Sequence, residues 1–193
     1  MDQNYTAKDF MDMALKAFNN KDANNCFKYC LKAAEMGHIP AMCSIGNFYW
    51  EGVGTKKNLK KALEWFLKAA NTDDTFAMFQ LGVFYSENKN DEEAFKWHKK
   101  AAENGANFAM CELATMYFKG AGVEKNESEG LKWLKKAAEF QHAPAMSMLG
   151  RMYELGIVVE QDIHEALKWY VEAANLGEEH AQERLKVLFD EGR

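Results

Sequence analysis

The residues in this chain best suited to chemistry are its cysteines and histidines. Cys26 and Cys30 stand one helical turn apart, and His38 and Cys43 follow, a set that could in principle supply four zinc ligands. Structural zinc sites generally use two such pairs, each about two to four residues apart, and here there is one. Cys26 stands where other copies of a repeat carry a small residue, and Cys30 where they carry Phe66 or Leu134, so both read as small apolar core residues. The histidines His38, His98, His142, His164 and His180 are scattered, and none forms a nucleophile–base arrangement. Gly52-x-Gly54 lacks the strand and the Gly-Lys-Ser/Thr of a phosphate cradle. The carboxylate pairs Glu92-Glu93 and Glu178-Glu179 fall at helix starts, where they complement the helix dipole. No catalytic residue, no metal ligand and no cofactor is expected.

What would position these residues is a repeat. Ala pairs recur at Ala33-Ala34, Ala69-Ala70, Ala101-Ala102, Ala137-Ala138 and Ala173-Ala174, about every 36 residues. A period in that range predicts stacked helix pairs. Before each Ala pair lie an aromatic (Tyr29, Trp65, Trp97, Trp133, Trp169) and a small residue (Cys26, Ala62, Ala94, Gly130, Ala166). Spacings of three and four place them along one side of a helix. Asp22, Asn58, Asn90, Asn126 and Asp162 stand at its start as N-caps. Glu93, Glu129 and Glu165, three residues on, have capping-box spacing. Gly37, Gly105 and Gly177 end the helix, with Asp73 and Gln141 in that place in the other two copies.

A second helix follows, with the stripe Ala41, Ile45, Gly46, Tyr49 and its counterparts, degrading to Ala181, Leu185, Lys186 and Phe189 in the last copy. The recurring glycine predicts close helix packing, because glycine within a helix costs about 1 kcal/mol against alanine. Met42, Met78, Met110, Met146, Phe48, Phe84, Met116 and Met152 recur beside the stripe and read as core. The expected organisation is one all-α solenoid over residues 1–193. It has an N-terminal capping helix at 6–19 and units at about 22–57, 58–89, 90–125, 126–161 and 162–193, with about eleven helices in all.

Hydrophobic residues make up 48% of the chain, enough for a continuous core. The formal charge of −5 argues against a nucleic-acid partner. No apolar run approaches the length of a membrane span. The start, MDQNYTAKDF, lacks a basic segment followed by an apolar one, so no signal peptide is expected. The four cysteines do not follow the repeat as a disulfide framework would. The cytoplasm is therefore the expected location, with signal-independent secretion left open.

The joined pattern, Ala-x-x-x-Leu-Gly-x-x-Tyr-x-x-Gly-x-Gly, then Asp/Asn, then Ala-x-x-Trp-x-x-x-Ala-Ala-Glu-x-Gly, resembles the Sel1-like repeat, a relative of the tetratricopeptide repeat, from about Asp22 to Phe189. The resemblance implies a right-handed α/α superhelix of antiparallel helix pairs that acts as a non-catalytic scaffold or adaptor. A cysteine-rich branch of the family has been described as β-lactamase-like. Its cysteines fall where this chain has Ala34 and Ala41, or Ala70 and Ala77, so a hydrolase of that kind is the lesser alternative.

By the same resemblance, the second helix of each pair lines a concave groove. Its groove register holds Cys43, Asn47 and Trp50, then Phe79, Val83 and Ser86, then Cys111, Thr115 and Phe118, then Ser147, Arg151 and Glu154. Trp50, Phe79 and Phe118 are the aromatic anchors such a surface would use. The expected ligand is a protein or peptide with an apolar segment, held between an apolar end and the charges of Arg151 and Glu154. A dedicated immunity or regulatory partner, or a second copy of the chain, are alternatives, and the oligomeric state is left open. Lys28, Lys96, Lys132 and Lys168, with Lys32, Lys68, Lys100 and Lys136, form basic rows on the first helix. They read as a solvated face, with an acidic partner as the alternative.

Overall fold

The computed structural model describes residues 5–190, which hold eleven α-helices and no strand. The helices are α1 (Ala7–Asn19), α2 (Ala23–Glu35), α3 (Ile39–Glu51), α4 (Leu59–Ala70), α5 (Thr75–Glu87), α6 (Asp91–Glu103), α7 (Asn107–Lys119), α8 (Glu127–Glu139), α9 (Ala143–Leu155), α10 (Ile163–Asn175) and α11 (Glu179–Asp190). The MDQN start of the segment read for a leader, and the last three residues of the fifth expected unit, lie outside the described residues. The chain forms two compact units, residues 1–89 and 90–193.

All five expected N-caps form. Asp22, Asn58, Asn90, Asn126 and Asp162 each accept a backbone N–H from three residues on, at 3.1, 3.0, 3.3, 3.0 and 3.1 Å. Three of these cap residues also donate their own N–H back to the tyrosine of the preceding helix: Asn58 to Tyr49, Asn126 to Tyr117 and Asp162 to Tyr153. That bond fixes where the chain re-enters the stack. The glutamates with capping-box spacing behave otherwise. Glu93, Glu129 and Glu165 reach forward to Lys96, Lys132 and Lys168 at 2.5, 3.2 and 2.5 Å. The capping box that does form is Thr6 with Asp9, at the start of α1.

The Ala pairs do two jobs. Nine of the ten alanines are buried, with Ala174 half-buried. Their carbonyls also close the helix ends: His38 N–H donates to Ala33 and Gly37 N–H to Ala34, a geometry repeated at Ala101-Ala102, Ala137-Ala138 and Ala173-Ala174. Gly37, Gly105, Gly177, Asp73 and Gln141 take the positive φ that this closure requires. The mid-helix glycines meet large rings. A Cβ on Gly46 would lie 2.6 Å from Phe66, and one on Gly150 would lie 2.8 Å from Tyr170. The recurring methionines and phenylalanines of the second helix are buried at Met78, Met110, Met146, Phe84, Met116 and Met152, and half-buried at Met42 and Phe48. The last copy departs from its expected register: Leu188 is fully buried, whereas Phe189 is 67% exposed.

Candidate interaction surface

The three columns expected to face a partner have different fates. In the first column, Ser147 packs against the second helix of the following pair. Cys43 and Ser147 are buried, and the Ser147 hydroxyl lies 3.3 Å from His180 Nδ1 on α11. Burial pushes the Cys43 thiol up to about 11, with the Asp74 carboxylate adding to it, and burial does the same to Cys111. Phe79 and Cys111 are half-buried.

In the third column, Trp50, Phe118 and Glu154 each pack against the first helix of the next pair. Trp50 stands edge-on to Phe66 at 6.0 Å and to Phe84 at 5.3 Å between ring centroids. Phe118 lies over Gly130, where an added Cβ would come within 2.5 Å of its ring. Glu154 is 7% exposed, accepts the Tyr170 hydroxyl at 2.8 Å and pairs with both Nε and a terminal nitrogen of Arg184. Cys43, Ser147 and Glu154 therefore leave the set of accessible candidates, because each is enclosed by the neighbouring repeat. Trp50→Ala is accordingly expected to lower the stability of the first unit by about 2 kcal/mol, since the half-buried ring fills space between α4 and α5. Urea unfolding of the variant checks this.

In the middle column Asn47, Val83 and Thr115 are half-buried, as are Trp50, Phe79, Cys111 and Phe118 in the other two, and Arg151 is exposed. In the second unit, Thr115, Phe118 and Arg151 come together around a crevice of about 340 Å³. Met148, Met152, Ile157 and Val158 complete its wall, with Lys119 and Glu127 beside it. The first unit carries a crevice in the corresponding place, lined by Phe18, Ala23, Cys26, Phe48 and Val53. Sequence reasoning passed over Ile157 and Val158 because they lie in the loop after the helix. The available signal was the loop pattern itself: Gly52-x-Gly54 and Gly120-x-Gly122 become Gly156-x-Val158.

Seven of the eight lysines in the two rows meet a ring or a glutamate. Lys68, Lys100 and Lys136 lie over the rings of Trp65, Trp97 and Trp133 at 4.5, 5.3 and 4.9 Å, and Lys32 over Phe10 at 4.9 Å. Lys96, Lys132 and Lys168 are the partners of the glutamates described above.

The cysteines are free, and Cys26, Cys30 and Cys43 are buried. Burial pushes the Cys30 thiol up to about 12, the opposite of what a reactive thiolate or a metal ligand needs. Among the described residues no group of three or more His, Cys, Asp or Glu is placed to hold a metal ion, and no helix is long and apolar enough to cross a membrane.

A family model described as Sel1 repeat matches residues 20–38, 39–74, 75–105, 107–139 and 143–178. Among solved structures, a Sel1 repeat protein from Oxalobacter formigenes is 28% identical with a TM-score of 0.84, over 97% of this chain and 80% of that one. The immunity protein Pa5087 from Pseudomonas aeruginosa is 27% identical with a TM-score of 0.63, over 91% of this chain and 67% of that one. The chitin synthase regulator SKT5 of Saccharomyces cerevisiae is 38% identical over 61 residues, which is 32% of this chain and 9% of that protein. The chain thus spans less than a tenth of the length of the curated relatives it matches.

Proposed function

The chain belongs to the Sel1 repeat family, and from that premise we propose that it is a non-catalytic module that holds a partner protein through the accessible residues of its second helices, Asn47 and Val83 in one unit and Thr115 and Arg151 in the other. Sel1 repeat proteins are generally protein-interaction scaffolds. The observation that carries the reading is that Cys43, Ser147 and Glu154 are buried, while Asn47 and Val83 in the first unit, and Thr115 and Arg151 in the second, keep accessible surface, Arg151 the most. Half-buried Phe79 and Phe118 flank them and supply apolar area.

A second reading, one dedicated partner rather than several, draws on the likeness to the immunity protein Pa5087. Both readings are tested by affinity capture from the native host's lysate with wild type, Val83→Lys and Arg151→Glu. All three are first checked as folded by circular dichroism. A protein retained by wild type and reduced about tenfold or more by either variant is the expected result. Equal retention by all three would overturn the assignment to these residues. A single stoichiometric protein would favour the dedicated partner, and several would favour the scaffold. The hydrolase alternative stands or falls with a nitrocefin assay, in which no turnover is expected from the purified chain.

A further inference from the structure

We propose that the crevice in the second unit receives an apolar side chain of a partner peptide while Lys119 and Arg151 hold an acidic side chain next to it. The inference rests on the interaction reading above and gives the partner's chemistry.

The floor and walls are apolar: Phe118, Met148, Met152, Ile157 and Val158. Ile157 is 48% exposed although it is a large aliphatic residue beside a cavity. A volume of about 340 Å³ lies at the lower end of ligand pockets, which suits one or two side chains rather than a cofactor. Methionine in such a wall adapts to the shape of what enters.

The charged lining of the crevice is Lys119, Arg151 and Glu127. Glu127 is paired with Lys125 at 2.7 Å. Lys119 and Arg151 are exposed, and neither joins an ion pair among the described residues. Two unmatched cations beside an apolar cavity, in a chain whose net charge is −5, complement an apolar residue flanked by aspartate or glutamate. The matching crevice of the first unit is larger, about 460 Å³, yet its charged lining is Lys21 and Asp22, one of each sign. Asp22 moreover caps α2 through Asn25. The apolar crevice is thus a product of the repeat, and its cationic edge belongs to the second unit.

Val158 strengthens the case. Its φ is +66°, a left-handed conformation that a β-branched residue rarely adopts. The repeat places glycine there in other copies, at Gly54 and Gly122, where a Cβ would run into the carbonyls of Ala23 and Asp91. A strained side chain retained where glycine would be relaxed is a reason to look for a role, and here it adds a wall to the crevice.

The test pans a random-heptapeptide phage library on the purified full chain. Enriched peptides are expected to place Leu, Ile, Met or Phe within two positions of Asp or Glu. The most enriched one, made synthetically, should bind Arg151→Glu about tenfold more weakly than wild type, with a smaller loss for Val158→Gly. Val158→Gly relaxes the positive-φ turn, and circular dichroism confirms that both variants are folded before binding is compared. Enriched peptides without an acidic residue, or binding unchanged in both variants, would overturn the proposal. Peptide binding lost in Val83→Lys but not in Arg151→Glu would overturn this site while leaving the interaction reading intact. No enrichment at all overturns the proposal, and the lysate capture then decides the broader reading separately. Concentration-dependent self-association, seen by sedimentation and abolished by Arg151→Glu, would assign the crevice to a second copy of the chain and overturn the peptide.

Discussion

Glu154→Ala is expected to destabilise the unit of residues 90–193 by about 3 kcal/mol, the lower end of what removing one partner of a buried ion pair costs. The carboxylate is 7% exposed and gathers three donors from two helices: Tyr170 on α10, and Nε and a terminal nitrogen of Arg184 on α11. Without it the Tyr170 hydroxyl stays enclosed and loses its acceptor, and burial and the carboxylate together already hold that phenol well above the usual tyrosine range. Arg184, with 29% of its side chain exposed, recovers some hydration, which is why the lower figure applies. The same register holds Trp50 against Phe66 and Phe118 over Gly130. A carboxylate stands there when the facing residue is a phenol. Urea unfolding of Glu154→Ala, Arg184→Ala and the double variant checks the argument. The double variant should lose less than the sum of the singles, and strict additivity would mean that the pair does not hold α11 in place.

Helix positions, N-caps and the small-residue stripe are legible because each recurs at a fixed register: Asn58 caps its own helix, and the glycines at Gly46 and Gly150 admit the rings of Phe66 and Tyr170. The third column reads as exposed in the sequence because its residues vary. Their variation is compensation, since Trp50, Phe118 and Glu154 each answer to the residue that the next repeat presents. Within a single chain, compensation and freedom both show only as residues that differ between copies. Arg184 was invisible for a related reason: α11 has lost the repeat pattern, so no register pointed to it. The lysine rows could have been placed. Glu-x-x-Lys and Trp-x-x-Lys are both spacings that meet on a helix surface, and both occur in three copies.

The second large effect is acid sensitivity, and it comes from His98. The register that holds Phe66, Leu134 and Tyr170 in other copies here holds an imidazole that is 2% exposed. Desolvation pushes its pKa down to about 4, against 6.5 for the free side chain. The folded state therefore keeps His98 neutral between those values, while the unfolded chain takes up a proton. Stability is complete above about pH 6.5 and falls by about 1.4 kcal/mol per unit as the pH drops towards 4, for a total of about 3 kcal/mol. His142, whose pKa burial also lowers, titrates in the same direction. The carboxylates of Asp9 and Asp22, held low by hydrogen bonds from Thr6 and Asn25, act in a separate window below their usual 3.8. His98→Leu, which borrows the residue of the Leu134 register, isolates the effect. Urea unfolding at pH 7.5 and pH 5 should show a smaller loss in His98→Leu than in wild type, the difference being about 2 kcal/mol. Equal losses in the two proteins would mean that His98 can be protonated within the folded unit, through an opening that the buried register does not provide.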